Sequence, residues 1–184
     1  MFEQFKTRAE AVSAEVHHFP TKTGALEFIL QLLHTEGIAD AMQSYAVWAD
    51  CRFLTGIDRK KLAEKVPGLR FDVTREVASE SRIGITQMDW AIANTGTLAQ
   101  DSVQVEQRLA SSLPSIHLAL VGTDKLLADL PSFLNKMSPR ESGSIAMITG
   151  PSRTADIERV LTIGVHGPER LIIVFVDELE ERDG

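Results

Sequence analysis

The stretch that decides the fold is Gly150-Pro151-Ser152-Arg153-Thr154-Ala155-Asp156-Ile157-Glu158, which follows an apolar run at 145–148. Gly150 allows a tight exit from a strand, and Pro151 fixes one φ angle just beyond it. The pattern predicts a strand that ends, a short loop, and a helix over 154–162. A helix start presents free backbone N–H groups and a positive dipole end, so this junction predicts an anion site.

Two interpretations of this junction stay open. In the first, Arg153 makes a two-pronged contact with a phosphate or carboxylate, beside the hydroxyl-rich loop. In the second, Ser152 or Thr154 only caps the helix, and Asp156 with Glu158 complements its dipole. The two are compatible, because one hydroxyl can cap while its neighbours bind.

The sequence has three runs of consecutive apolar residues, at 117–121, 145–148 and 171–176. Each run predicts a strand that is buried on both faces. Helical patterns at 123–136 and 154–162 lie between them. Strands that alternate with helices predict an α/β fold with a mainly parallel sheet flanked by helices.

The N-terminal part of the chain begins with helical spacing around Phe2, Phe5 and Ala9, and again over 26–33. We therefore predict an N-terminal helical extension at 1–40, followed by one compact α/β domain at 41–184. Within that domain the residue pattern predicts further strands at 45–49, 69–73 and 83–86, and helices at 58–65 and 75–81.

Composition narrows the class of protein. The 184 residues are 43% hydrophobic and carry a net charge of −7, with a pI near 5.2. This predicts a soluble protein without a nucleic-acid surface, and the apolar runs are too short for a signal peptide or a membrane span. We therefore expect a cytoplasmic protein. Cys51 is the only cysteine, which excludes an intramolecular disulfide and any iron–sulfur cluster ligated within one chain.

Several polar residues are candidates for a site. Thr95, Gly96 and Thr97 form a hydroxyl-flanked glycine that brings donors close to an oxyanion, although a plain turn is the commoner role of such a motif. Arg108 precedes a strand entrance, where arginine is more often a surface residue. His117 begins an apolar strand, so it is either satisfied by hydrogen bonds or a ligand contact.

His166 lies in the glycine-bracketed turn at 164–168, which favours an exposed imidazole. It is a catalytic candidate together with Asp156 and Glu158. The two acids would diverge on a helix, and the sequence has no His-x-x-x-His pair, so we predict no metal site. A nucleophile elbow, a Walker loop and a dinucleotide fingerprint are also absent from the sequence.

Taken together, these motifs resemble the lactate-utilization (LUD) domain family, and most of all its LutC type, also called YkgG. The resemblance covers about residues 84–176. It is carried by Gly84-Ile85-Thr86, Ile92-Ala93-Asn94-Thr95-Gly96-Thr97, Arg108, Leu113-Pro114 with His117, 150–158 and 164–168. One position departs from the family pattern, because Asn94 stands where glutamate is common. A carboxylate mechanism like that of CoA transferases is therefore not carried over.

The resemblance implies a fold of the NagB/RpiA/CoA-transferase-like superfamily. It also implies a role beside LutA/LutB-like iron–sulfur proteins in oxidising L-lactate to pyruvate. The iron–sulfur clusters would then belong to those partners, with no cofactor in this chain, and whether this subunit is itself catalytic stays open. The sequence is compatible with a homo-oligomer.

Two functions compete at this point. The chain is a subunit that binds a small carboxylate or a phosphorylated ligand, or it is a free-standing isomerase, transferase or hydrolase acting on a phosphorylated sugar or acyl-CoA. Both predict a cleft at the carboxyl ends of the strands. The predicted ligand-binding residues are Thr95, Gly96, Thr97, Arg108, His117, Gly150, Pro151, Ser152, Arg153, Thr154, Asp156, His166 and Gly167.

Overall fold

The computed structural model describes residues 1–101, 103–137, 144–157, 160–163 and 167–179, with the backbone alone for 154–157 and 160–163. The described helices are α1 Phe2–Glu10, α2 Lys22–Thr35, α3 Arg59–Lys65, α4 Arg75–Ser79, α5 Val105–Ser112 and α6 Leu130–Lys136. The described strands are β1 Glu15–Phe19, β2 Tyr45–Trp48, β3 Leu69–Arg70, β4 Ser81–Gln87, β5 Trp90–Ile92, β6 Thr97–Asp101, β7 Ile116–Gly122, β8 Leu126–Leu127, β9 Ile145–Ile148, β10 Arg153–Ile157, β11 Val160–Ile163 and β12 Arg170–Val176. Short 3₁₀ turns occur at Arg52–Leu54, Thr123–Lys125 and Asp177–Leu179.

The main sheet has six strands in the order β1-β12-β7-β4-β2-β3. Every neighbouring pair in it is parallel. All seven residues of β7 are buried, and so are six of the seven in β12. The predicted α/β fold with a mainly parallel sheet is therefore confirmed. The runs of consecutive apolar residues in β7 and β12 are covered on both faces of the sheet, as such runs require.

Helices α2 and α3 cover one face of this sheet. Ile29 and Leu33 of α2 are fully buried there, together with Leu118 and Leu120 of β7. Burial of side chains of this size contributes about 1.5–3 kcal/mol each. This face of the sheet is thus covered by the apolar residues at helical spacing in α2, which pack against alternate residues of the strands.

The opposite face carries α1, α4, α5 and a second sheet. Phe5 and Ala9 of α1 pack with Ala119 of β7 and Phe175 of β12. Farther along the sheet, α5 lies so close to β4 that a Cβ on Gly84 would be 1.8 Å from the carbonyl oxygen of Ala110. Glycine at position 84 therefore sets the depth at which α5 packs.

The second sheet has four strands in the order β8-β5-β6-β9. It corrects our prediction that 145–148 is a strand buried on both faces of the parallel sheet. These residues form β9, an antiparallel partner of β6, and Met147 is 48% exposed. Four consecutive apolar residues suit either place, and only the tertiary pairing separates them.

The predicted helix over 123–136 is also wrong in its first half. The chain makes a 3₁₀ turn and the short strand β8 before α6 begins. Ala91 of β5 pairs with Leu126, and the Asp129 carboxylate caps α6 by accepting the Ser132 N–H at 2.9 Å. The leucines at helical spacing are therefore divided between β8 and α6, and the Asp129 cap lies between these two elements.

The predicted helix over 154–162 is wrong. The backbone there forms an antiparallel hairpin of β10 and β11, with Arg153 opposite Ile163 and Thr154 opposite Thr162. β-Branched residues prefer extended backbone, which explains the outcome. Because no helix starts after Ser152, the helix-dipole argument for an anion site at this junction no longer applies.

Residues 1–40 contain a strand that the helical spacing did not predict. Strand β1 pairs in parallel with β12, with Val16 opposite Ile173. It lies between α1 and α2, so these residues contribute to both faces and to one edge of the main sheet. The division of the chain at residue 40 stays a prediction.

Candidate functional site

The order of strands defines where a ligand site is expected. After β2 the chain moves outward through α3 to β3, whereas after β4 it moves the other way, through the second sheet and α5, to β7. Adjacent parallel strands whose connections diverge leave a crevice outside their carboxyl ends. Strands β2 and β4 are such a pair.

A cavity of about 510 Å³ lies at this position. We call it the carboxyl-end cleft; its lining is Asp50, Cys51, Arg52, Gln87, Met88, Asp89, Trp90, Asp101, Gln104, Gln107, Gly122, Lys125, Met137 and Leu179. A second cavity of about 350 Å³ shares Gln87, Asp89, Asp101, Gln104 and Gln107 with it and adds Gln100 and Val103. The two volumes form one polar cleft.

Asp89 follows β4 and lines both parts of this cleft. Its Oδ2 accepts the backbone N–H of Asp101 at 2.7 Å. The side chain is reached from the cleft, yet the surrounding walls desolvate it and raise the pKa of the carboxyl. The Asp101 N–H and the Lys125 charge act against this rise, whereas the charge of Asp101 adds to it. A carboxyl with a raised pKa in a cleft is a candidate proton donor or acceptor.

Lys125 supplies a positive charge to the same cleft. Its Nζ lies 5.2 Å from the centre of the Trp90 ring. The Asp124 carboxylate is 3.4 Å away, and the side chain is only 21% exposed. The ring face and the carboxylate hold the ammonium in place on the wall of the cleft.

A chain of side-chain amides forms the wall behind Asp89. The Nε2 of Gln100 donates to the carbonyl oxygen of Gln87 at 2.8 Å and to Oε1 of Gln107 at 3.0 Å. Gln107 in turn donates to the carbonyl oxygen of Asp50 at 2.8 Å. These bonds join β4, β6, α5 and the segment directly after β2, so the wall is held from four parts of the chain.

One atom of this wall lacks a partner. Gln100 is 2% exposed, and its Oε1 makes no hydrogen bond. A buried acceptor without a hydrogen bond costs about 1–3 kcal/mol. Such an oxygen indicates a position where a water or a donor group of a ligand would bind.

Cys51 lines the cleft as a neutral thiol. Burial raises its pKa, which works against formation of the nucleophilic thiolate. A thiol with a raised pKa is a weak nucleophile, and Cys51 forms part of the cleft wall.

The predicted ligand residues gather elsewhere. His117, Gly150, Pro151, Ser152 and Gly167 line a cavity of about 260 Å³. It lies at the amino ends of β7 and β12, so our prediction that these residues meet at the carboxyl ends is wrong. We call this space the amino-end cavity.

His117 serves the structure first. It is 1% exposed, and its Nε2 lies 2.8 Å from Oγ1 of Thr86 on the adjacent strand. Burial lowers the pKa of its imidazole to about 4, so the ring is neutral at pH 7. Its predicted role as a ligand contact stays a prediction.

Two of the motif glycines face the N-terminal segment. Gly96 has a φ of +66°, and a Cβ there would be 2.5 Å from the backbone nitrogen of Ala9. Gly150 has a φ of +76°, and its Cβ would be 2.7 Å from the carbonyl oxygen of Val12. These glycines are required by positive φ and close packing, whatever else they do.

The remaining predicted residues are dispersed. Thr97 donates to or accepts from Thr149 at 2.7 Å, and Thr95 is exposed. Arg153 donates to the carbonyl oxygen of Val12 at 2.9 Å, and Arg108 donates to that of Val103 at 3.2 Å.

Neither Arg108 nor Arg153 is among the described residues that line the carboxyl-end cleft or the amino-end cavity. The backbones of Thr154 and Asp156 belong to β10, and their side chains lie outside the described part of the chain, as do Glu158 and His166.

Sequence reasoning missed the lining of the carboxyl-end cleft. A usable signal was present, because Asp50 follows β2 within two residues, and Gln87 and Asp89 end and follow β4. Polar residues directly after buried parallel strands share one edge of a sheet. The hydroxyl and glycine motifs drew attention to the other edge.

Two negative findings concern the described residues alone. They contain no group of three or more histidine, cysteine, aspartate or glutamate side chains placed to hold a metal ion. None of their helices is long and apolar enough to cross a lipid bilayer.

The fold and the cleft define an α/β protein with a polar site at a topological switch point. The model of the LUD domain matches residues 2–176, and the chain belongs to this family. The family resemblance is thus confirmed, and it extends through the N-terminal third, where our motifs gave little sign of it.

Individual relatives agree with this membership. The chain is 34% identical over 114 residues to lactate utilization protein C of an Exiguobacterium species, which covers 59% of this chain and 50% of that protein. It is 28% identical over 158 residues to the protein of the same name from Halalkalibacterium halodurans, covering 78% and 69%. The chain thus spans from about half to about two thirds of the length of these two relatives.

A solved structure supports the fold alone. The crystal structure of a DUF162 family protein from Deinococcus radiodurans superposes with a TM-score of 0.65 at 20% identity, covering 95% of each chain. The arrangement of the sheets and helices is therefore shared with an experimental structure.

Proposed function

We propose that this chain is a component of lactate utilization that binds a small anionic ligand in the carboxyl-end cleft, with a small carboxylate as the first candidate. The relatives named lactate utilization protein C support the process. The observation that carries the binding is the cleft itself, which combines the Lys125 ammonium with the Asp89 carboxyl at a switch point.

We propose LutA/LutB-like iron–sulfur proteins as partners. This chain has a single cysteine, Cys51, and a cluster needs several thiolate ligands. Electron transfer would then take place in the partners, while this chain contributes a ligand site or completes theirs. A cytoplasmic location and a homo-oligomer are further proposals.

Isothermal titration calorimetry tests the binding. L-Lactate, propionate, pyruvate, inorganic phosphate, a sugar phosphate and an acyl-CoA are titrated into the full chain, and into the Lys125→Met variant. We expect carboxylates to bind the native chain and to bind Lys125→Met at least about tenfold more weakly. Lys65→Met is the matched control, because Lys65 is exposed at the end of α3 that leads away from the cleft. Absence of carboxylate binding to the native chain contradicts the proposal.

Co-purification tests the partners. The tagged chain is isolated from its host at native abundance, and the eluate is assayed for iron, for acid-labile sulfide and for the identity of each protein. A stoichiometric iron–sulfur protein is expected. An eluate that contains this chain alone contradicts the partner proposal without affecting the ligand proposal.

The second candidate is a free-standing isomerase, transferase or hydrolase acting on a phosphorylated sugar or acyl-CoA. The raised pKa of Asp89 in an open cleft favours it, because such a carboxyl is a candidate to exchange protons with a substrate. Turnover of a sugar phosphate or acyl-CoA that the Asp89→Asn variant abolishes would support this function. Binding of carboxylates without any turnover would favour the first.

A further inference from the structure

We propose that the amino-end cavity binds a small uncharged polyol, whose hydroxyl groups contact the ring of His117 and the hydroxyl of Ser152. The described lining of this cavity shares no residue with that of the carboxyl-end cleft. The proposal therefore adds a second site to the protein, and it is independent of the proposed binding of a carboxylate.

The His117 ring is the main polar group of the cavity wall. It is 1% exposed, and its Nε2 lies 2.8 Å from Oγ1 of Thr86. Because Nε2 is turned towards Thr86, Nδ1 is the ring nitrogen that remains for a ligand, and it has no hydrogen-bond partner among the described residues. A polar atom of a cavity wall that lacks a partner indicates a position where a ligand group or a water binds.

The hydrogen bonding of His117 favours a hydroxyl group as its partner. The Thr86 hydroxyl has a single proton, which it can donate either to Nε2 or to Sδ of Met88 at 3.6 Å. In the first case the neutral ring carries its own proton on Nδ1 and donates from there, and in the second case Nδ1 accepts. A hydroxyl both donates and accepts, so it suits Nδ1 in either case, whereas a carboxylate only accepts and an ammonium group only donates.

The electrostatics of the cavity favour an uncharged ligand. None of the described lining residues is charged at pH 7, because burial lowers the pKa of His117 to about 4. Ser111 and Ser112 bring the C-terminal end of α5 to the cavity, where helix carbonyl oxygens and the negative end of the helix dipole lie. A buried anion without an opposite charge is costly. The cavity therefore favours hydroxyl donors over a carboxylate or a phosphate.

Ser152 and Gly167 form another part of the cavity wall. The Ser152 N–H donates to the carbonyl oxygen of Pro168 at 2.8 Å, which joins the two loop segments. Gly167 has a φ of +147°, and a Cβ there would be 3.2 Å from Oγ of Ser152. Glycine at position 167 thus leaves space around the Ser152 hydroxyl, which can donate to or accept from a second hydroxyl of the ligand.

The apolar lining and the volume set the size of the ligand. Pro151 is buried, Leu171 is 1% exposed and Ile148 is half-buried, so the wall also offers contacts to a carbon chain. The volume of about 260 Å³ equals that of about nine water molecules at about 30 Å³ each. This space suits a polyol of about three to six carbons and is smaller than the usual site for a drug-sized molecule.

Nuclear magnetic resonance of the full chain, with nitrogen-15 in its histidines, tests the proposal at Nδ1 itself. Glycerol, erythritol, xylitol and sorbitol are the probes, and propionate and inorganic phosphate are the anionic comparisons. The His117 signals are those that are lost in His117→Gln, and they also titrate near pH 4 because the pKa of this ring is about 4. We expect at least one polyol to shift the Nδ1 signal saturably, with a dissociation constant below about 50 mM, and neither anion to do so.

The possible outcomes separate the two sites. No saturable shift with any of these polyols overturns the proposal. A saturable shift with propionate or phosphate instead of a polyol assigns the cavity to an anion and also overturns it. Carboxylates that bind only in the carboxyl-end cleft leave the Nδ1 signal unchanged, so this proposal and the proposed function succeed or fail separately.

Substitution of Ser152 gives the second test. Ser152→Ala retains the Cβ and the backbone N–H that bonds Pro168, and it removes only the hydroxyl. We expect it to weaken binding of the polyol about fivefold, as the loss of one hydrogen bond between neutral groups would. Ser79→Ala is the matched control and should bind as the native chain does, because Ser79 is exposed on α4 and is not among the described lining residues. Equal affinities of Ser152→Ala and the native chain overturn the site as proposed.

Discussion

The Arg153 guanidinium donates a hydrogen bond to the carbonyl oxygen of Val12 at 2.9 Å, across 141 positions of sequence. Arg153 lies in the stretch that our sequence analysis treated as an anion site. In the fold it fastens the turn after α1 to the start of β10. The residue therefore connects the N-terminal segment to the hairpin, and its binding role stays a prediction.

Substitution of Arg153 distinguishes an anion site at residues 150–153 from an anion site in the carboxyl-end cleft. Arg153→Ala is expected to lower the free energy of unfolding by about 1 kcal/mol, the contribution of one exposed hydrogen bond. It should leave carboxylate binding unchanged, because Arg153 is not among the described residues that line the carboxyl-end cleft. Urea denaturation and calorimetry check the two effects, with Arg75→Ala on α4 as the control. Loss of carboxylate binding in Arg153→Ala would instead place the anion site at residues 150–153.

Gly96 and Gly56 form a matched pair for a test of packing. Both have positive φ, at +66° and +75°, but only Gly96 has a neighbour within 4 Å, the backbone of Ala9 at 2.5 Å. Gly56→Ala should cost about 1–2 kcal/mol through backbone strain alone. Gly96→Ala should cost about 1–3 kcal/mol more, because α1 must shift. Chemical denaturation measures both, and equal costs would show that α1 does not restrain the loop.

His117 predicts a pH dependence of stability. Its pKa in the folded chain is about 4, against 6.5 for an ordinary histidine. The unfolded chain therefore binds the proton first as the pH falls, so this contribution is complete above pH 6.5 and is lost progressively towards pH 4. The full loss is about 3 kcal/mol at 1.36 kcal/mol per pH unit.

Urea denaturation across this pH range measures the effect. His117→Gln should flatten the dependence of the unfolding free energy on pH. Burial also lowers the pKa of His17, but less completely, so His17→Gln should flatten the curve to a smaller extent. The carboxyl groups of Glu36 and Asp177, whose pKa values are lowered, act equally in all three proteins. A His117→Gln curve parallel to that of the native chain would contradict this account.

Asp89 predicts a pH dependence of binding. An ionised carboxylate accepts a stronger hydrogen bond than a protonated carboxyl, and the pKa of Asp89 is raised by desolvation and by Asp101, against the opposing effects of the Asp101 N–H and Lys125. If this carboxylate accepts a hydrogen bond from L-lactate, the affinity for L-lactate should fall as the pH is lowered towards the raised pKa of Asp89. Calorimetry at several pH values measures this. Asp89→Asn should remove the dependence, and its persistence in that variant would assign the titration to another group.

Much of the fold could be predicted because its signals are local. The apolar runs that become β7 and β12 are continuous, and they required cover on both faces. Helix α2 followed from leucines at helical spacing. The errors occurred where short apolar segments suit two environments, as in β9 and the β10–β11 hairpin, since pairing partners are distant in sequence.

The site was less predictable for a physical reason. The glycines and hydroxyls at 95–97 and 150–152 form a recognisable pattern, but their close neighbours include Ala9 and Val12, which no local pattern indicates. The carboxyl-end cleft is built instead from single polar residues at the ends of β2, β4, β6 and β7. Such residues form no motif until the strands are ordered.

The sequence by itself determined the family, the parallel α/β sheet and the exclusion of a cluster ligated within one chain, because these depend on motifs, on apolar periodicity and on counting cysteines. Only the tertiary structure decided which edge of the sheet carries the polar cleft. Strand order sets where the connections diverge, and it brings Asp89, which follows β4, and Lys125, which follows β7, to the same cleft. Strand order is a property of long-range pairing, which residue patterns along the chain do not encode.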